Sequence, residues 1–146
     1  MTGETDLNIL LRSMSPQLNP GEYVFSTVPG DLFPDGAAII GSFREAEGLT
    51  LILERSQAQA AGLDFDFVMA WITLNVQSSL QAVGLTAAFA TALGAAGISA
   101  NVIAGFYHDH IFVGLADGER AMSVLRQLAR DAGAIDTPDV DVGRED

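Results

Sequence analysis

Two histidines, His108 and His110, flank Asp109, and they are the only histidines in the chain. On a regular strand both would point the same way, and three such groups can ligate zinc. Structural zinc normally takes four protein ligands, however, and the chain has no cysteine to supply a fourth. The run Phe106, Tyr107, His108, Asp109 also falls where a hairpin must turn, so regular alternation fails there. The sequence therefore predicts no metal site, and gives His108 and His110 a role in ordering the hairpin or lining an interface.

Other reactive combinations fare no better. Ser78 with Asp109 and either histidine makes a triad on paper, but no Gly-x-Ser-x-Gly elbow surrounds the serine. Asp64 and Asp66 bracket Phe65 just ahead of an apolar segment, the pattern of solvated turn residues. The chain has no lysine, which excludes a Schiff base, a P-loop lysine and a lysine general base. No catalytic residue and no cofactor is expected, and the protein is read as a non-enzyme.

The best functional candidate is the stretch 75–86, which leads from a strand into a helix. Unpaired backbone N–H groups and the positive end of the helix dipole can receive a carboxylate there. Ser78 and Ser79 add hydroxyl donors, Leu80 and Leu85 offer backbone donors, and Gly84 permits close approach. Residue types alone fit equally an ordinary loop whose serines cap the helix.

These candidates lie in an unusual setting. From Phe67 to Tyr107 there is no Asp, Glu, Lys or Arg, although the whole chain carries a formal net charge of −12. A membrane span needs roughly 20 nearly continuous apolar residues. The densest run, 68–74, is shorter and is broken by Thr73, so a buried core is expected and no membrane. The acidic surface repels phosphate backbones, which excludes nucleic acid as the main partner. Absence of cysteine and of a basic segment before an apolar stretch at the N-terminus points to the cytoplasm.

The elements that must position these residues alternate along the chain. A helix is predicted at 6–13, ended by a break at 16–21, then strands at 23–28, 38–43 and 49–54 and a helical turn at 57–62. A strand follows at 67–75, a helix at 85–96, and strands at 100–104 and 110–115. The last helix carries an apolar stripe of Met122, Leu125, Leu128 and Ala132. Residues 134–146 read as an acidic, flexible tail. Along 67–76 both faces are apolar, with Phe67, Met69 and Trp71 opposite Val68, Ala70 and Ile72, and the helix at 85–96 has no charged face. Either the N-terminal half covers these surfaces or a second copy does, and a homodimer is the expectation. The pattern is α+β, with helices on an antiparallel sheet.

Three runs carry a family resemblance: FREAEGLTL at 43–51, SSLQAVGLTAA at 78–88 and GISANVIAGFYHDHIFV at 97–113. They are similar to small bacterial proteins built from two tandem ACT-like domains, over about residues 22–128. The resemblance implies a ferredoxin-like fold in each half, here 5–66 and 67–133. It also implies a regulatory module that senses an amino acid or other small metabolite, with ligands at the loop before the second helix and the start of the next strand, where Asn101 is the residue most able to read an ammonium or amide group. Gln77 departs from the histidine expected there. The alternative function is a protein interaction or assembly module without a small ligand.

Overall fold

The computed structural model describes residues 3–30, 32–75 and 84–136. Helix α1 (Gly3–Ser13) is followed by β1 (Ser15–Val28), β2 (Ile39–Glu45), β3 (Gly48–Glu54) and α2 (Arg55–Ala60). Then come β4 (Met69–Asn75), α3 (Leu85–Ala95), β5 (Ala100–Ala104), β6 (Asp109–Gly114) and α4 (Gly118–Asp136), with a short 3₁₀ turn before α4. The six strands form one sheet in the order β2-β3-β1-β4-β6-β5, every neighbouring pair antiparallel.

The four helices among the described residues lie on one face of that sheet. Paired residues of antiparallel strands share a face, so Val24 opposite Leu53 and Leu18 opposite Ile72 mark the same side. On that side Ile72, Leu74 and Ile111 pack with Phe89 and Leu93 of α3, Leu125 of α4 and Leu11 of α1. Val24, Leu51 and Leu53 pack with Ala58 of α2. Each fully buried large side chain contributes roughly 1.5–3 kcal/mol. The stripe on α4 is buried as its spacing requires, with Met122, Leu125 and Ala132 inside.

The expected break at 16–21 is instead part of β1. Its first stretch, Ser15 to Asn19, pairs only with β4, because β3 begins pairing at Tyr23. Pro16 thus sits where β1 is locally an edge, and its missing N–H costs no ladder bond. Pro20 and Gly21 form a bulge, where the partner of Asn19 is Trp71 and that of Tyr23 is Met69. Gly21 has φ +113°, and the Tyr23 hydroxyl donates to the Pro20 carbonyl at 2.6 Å across the bulge. Burial, then the Glu54 carboxylate, pushes the Tyr23 phenol above its ordinary pKa, so it stays a donor.

Strands β1 and β4 serve two four-stranded sets at once, β2-β3-β1-β4 and β1-β4-β6-β5. Each set has the ferredoxin-like order of fourth, first, third and second strand. In the second set the fourth strand is the opening stretch of β1, and α1 packs beside α4.

The face away from the helices bends on itself. Six flat strands would set the outermost pair roughly 24 Å apart. Yet Ile40 of β2 and Ile103 of β5 line one cavity of about 180 Å³, with Trp71 and Phe112 at its base. Tyr23 and Ile52 from the first half bury themselves against Met69 and Phe112 from the second. The N-terminal half thus covers much of the apolar face that 67–75 presents. Helix α3 is different: Leu85, Phe89 and Leu93 are buried, whereas Ala87, Ala90, Thr91, Gly94 and Ala95 are exposed.

The bulge gives a direct test. A Cβ on Gly21 would stand 3.0 Å from Glu54 Oε2 and 3.2 Å from the Tyr23 hydroxyl. Gly21→Ala is expected to lower stability by about 1 kcal/mol or more, and Tyr23→Phe by about 1 kcal/mol. Urea unfolding measures both, and a Gly21→Ala protein as stable as its parent would show that the bulge does not need this conformation.

Candidate functional site

The curled face is held by aromatic contacts. Tyr23 meets Trp71 edge-on at 5.3 Å, Phe25 meets Phe112 edge-on at 5.4 Å, and Trp71 stacks on Phe112 at 6.0 Å. Beside them opens a second cavity of about 460 Å³, within the range of small-molecule sites. Phe25, Met69 and Phe112 are its apolar lining from the strands. Because β4 and β5 both run antiparallel to β6, their starts lie beside the end of β6. That arrangement brings Asp66 and Phe67, Ser99 and Asn101, and Gly114 and Asp117 to one mouth. The Leu115 amide donates to the Val68 carbonyl at 3.1 Å and fixes the spacing of two of these segments.

The charged groups of the mouth are carboxylates, Asp66 and Asp117, beside the Ser99 hydroxyl and the Asn101 amide, which both donate and accept. Asn101 Nδ2 lies 3.9 Å from the Met69 sulfur, and its side-chain oxygen is an acceptor. Asp117 Oδ1 accepts from Arg120 Nη2 at 3.1 Å, and Arg120 Nη1 donates to the Ala96 carbonyl beyond α3. Arg120 is therefore drawn toward α3 and does not line the cavity.

Of the residues expected to bind a ligand, Asn101 lines this cavity. Gly84 and Leu85 do not join it. Leu85 is buried among the helices, on the opposite face of the sheet from Asn101, whose register partner is Phe112. Ser78, Ser79 and Leu80, like Gln77, lie outside the described residues. Sequence reasoning missed Phe25, Asp66, Phe67 and Asp117 as cavity residues. The available signal was the run of apolar residues on both sides of β4, which marks a second covered face. Asp64 and Asp66 are exposed, as turn residues should be, yet Asp66 also edges the cavity.

The two histidines have parted company. His108 lies in the hairpin turn, where its carbonyl accepts from the Gly105 amide at 2.9 Å, and its Nδ1 is buried without a partner. His110 lies on β6 and faces the curled side, opposite Thr73. Trp71 Nε1 donates to His110 Nδ1 at 3.0 Å, and Thr73 Oγ1 stands 3.3 Å from the same nitrogen. Asn19 Nδ2 donates to Thr73 Oγ1 at 2.9 Å. An indole only donates, so His110 Nδ1 must be unprotonated and the neutral ring carries its proton on Nε2. No group of three or more potential metal-ligating side chains occurs among the described residues.

Burial pushes the His110 pKa below its ordinary value; His108 adds to this and Asp109 opposes it. The Asp109 carboxyl is pushed up by burial, against the pull of His110 and His108. The unfolded chain protonates His110 near 6.5, the folded chain only at lower pH. Between those values the unfolded state binds more protons, so the His110 contribution to stability rises with pH, levels off above about 6.5, and is lost on acidification. Asp109 acts with the opposite sign, in the window just above its ordinary 3.8. Trp71 is the only tryptophan, so its emission should change as His110 protonates and the indole loses its acceptor. The expected midpoint lies below 6.5, and His110→Asn should flatten it; a midpoint at or above 6.5 would contradict the assignment.

Residues 2–70 match one ACT domain model and residues 67–127 match another. A protein of unknown function from Vibrio cholerae is 52% identical over 88% of this chain and 99% of its own, with a TM-score of 0.79. The ligand-free regulatory subunit of aspartate kinase from Thermus thermophilus is 10% identical, over 78% of this chain and 97% of its own, at 0.60. The aspartate kinase of Clostridium acetobutylicum is 12% identical over 79% of this chain and 34% of its own, at 0.59. At such identities the two kinase likenesses show the fold alone. No curated protein matches. Two ACT models that meet along the chain, on a sheet built from two ferredoxin-like sets, make this protein a member of the tandem ACT-domain proteins, a family of regulatory modules.

Proposed function

We propose that this ACT module is non-enzymatic and responds to a small metabolite, an amino acid or a compound of similar size, taken up in the cavity at the mouth of β4, β5 and β6. The observation that carries this reading is the cavity itself, with an apolar lining of Phe25, Met69 and Phe112 and a polar mouth that includes Asn101 and Ser99. A ligand of about nine heavy atoms bound at micromolar strength needs roughly 0.9 kcal/mol per atom, below the ceiling of about 1.5. Reversible sensing is therefore within reach of a site this size.

A thermal-shift screen of amino acids and related amines tests the reading. A ligand at a hundred times its dissociation constant should add about 2.7 kcal/mol of stability. Asn101→Ala should then cost about ten- to a hundredfold in affinity, the value of a hydrogen bond to a charged group. Should Ser78→Ala with Ser79→Ala weaken binding while Asn101→Ala does not, the ligand sits instead at the N-terminus of α3, near Gly84 and Leu85.

A second reading, assembly into a homodimer, is favoured by the outer surface of α3. Ala87, Ala90, Thr91, Gly94 and Ala95 are exposed there and bear no charge. If this surface packs on a second copy, Thr91→Arg and Ala87→Arg abolish association seen by light scattering. On a monomer the same changes fall within about 0.5 kcal/mol of neutral.

A further inference from the structure

We propose that the cavity reads the ammonium group of its ligand and refuses anions, so that its preferred occupant is a primary amine with an apolar body, whether or not it carries a carboxylate. This rests on the reading that the cavity is the ligand site and adds the chemistry it selects. Among the described residues, Asp66 and Asp117 are the charged ones that line it, and no arginine or histidine does so. Arg120, the arginine bonded to a lining residue, is engaged by Asp117 and the Ala96 carbonyl. A carboxylate brought into the cavity would lose water against Phe25 and Phe112 without gaining a cationic partner, which burial of a charge does not tolerate. An ammonium group has as acceptors in the lining the Asp66 carboxylate, the Asn101 oxygen, and Asp117 Oδ2, the oxygen not bonded to Arg120 Nη2.

The apolar lining agrees with this. Phe67 at the mouth is 76% exposed, whereas Phe112 beneath it is 1% exposed. An exposed phenylalanine beside two carboxylates offers a ring face to a cation, and the buried ring offers only apolar contact. Polar and apolar ends of a ligand are thus assigned to mouth and base. The net charge of −12 adds a long-range field that draws cations and repels anions.

Calorimetry with phenethylamine, phenylalanine, phenethyl alcohol and glutamate separates the outcomes. Phenethylamine should bind at least as tightly as phenylalanine and about tenfold more tightly than the alcohol, with glutamate undetected. Asp66→Asn, at an exposed position, should reduce amine affinity about tenfold and leave the alcohol unchanged. Asp117→Asn should do the same, and it is the second variant because it also releases Arg120. If phenylalanine binds in an Asn101-dependent manner but phenethylamine does not, or if both carboxylate variants keep full amine affinity, the inference is overturned while the cavity remains the ligand site. If none of the four compounds binds, the cavity reading falls and takes the inference with it.

Discussion

The pairing of β1 with β4 is the constraint on which everything else depends. These two strands are the only ones that belong to both four-stranded sets. Along β1 the partner is β4 from Ser15 to Tyr23, and β3 takes the other side from Tyr23 to Val28. The bulge at Pro20 and Gly21 sits at that handover. Extra residues in one strand increase local twist and bend, and the bend here coincides with the aromatic contact of Tyr23 on Trp71. The curl of the face, and so the presence of cavities on it, follows from how these two strands meet.

That geometry explains which parts were legible in the sequence. Helices α1, α3 and α4 and strands β3, β5 and β6 show themselves through local periodicity, because each is satisfied by one apolar face or by flanking turn residues. The helix stop at Gly97 and the turn around His108 have the same local character. The first stretch of β1 was not legible, although its second half was expected at 23–28, because Pro16, Pro20 and Gly21 are local signals for a break. Their tolerance depends on which neighbour is absent on one side, a property of the sheet and not of the segment. Asn101 came into view through the family resemblance, which implies ligands at that strand start, and its amide chemistry then singled it out. Its neighbours Phe25 and Asp117 come from a central strand and a turn distant in sequence, and nothing in the spacing links them.

Strand alternation also separates some of the candidates. Grouping Asn101 with Gly84 and Leu85 places residues from opposite faces of the sheet in one site. Leu85 is spent on the core with Phe89 and Leu93, whereas Asn101 shares its face with Phe112 and Trp71. The residue adjacent to a loop is not thereby part of what the loop binds. Strand alternation decides which side each residue serves.

The cavity is tied to the uncharged helix by a short chain of contacts. Asp117 at the mouth holds Arg120, and Arg120 holds the carbonyl of Ala96, the residue that ends α3. An ammonium group that approaches Asp117 competes with Arg120 for the same carboxylate. Weakening that ion pair, exposed as it is, costs little, but it alters the tether at the end of a helix whose outer surface is exposed and without charge. A regulatory protein needs a ligand site whose occupancy changes the energetics of some other surface. With the cavity as the proposed ligand site, Asp117 at its mouth and the carbonyl that closes α3 share one guanidinium, so a ligand there would be one side chain away from the helix.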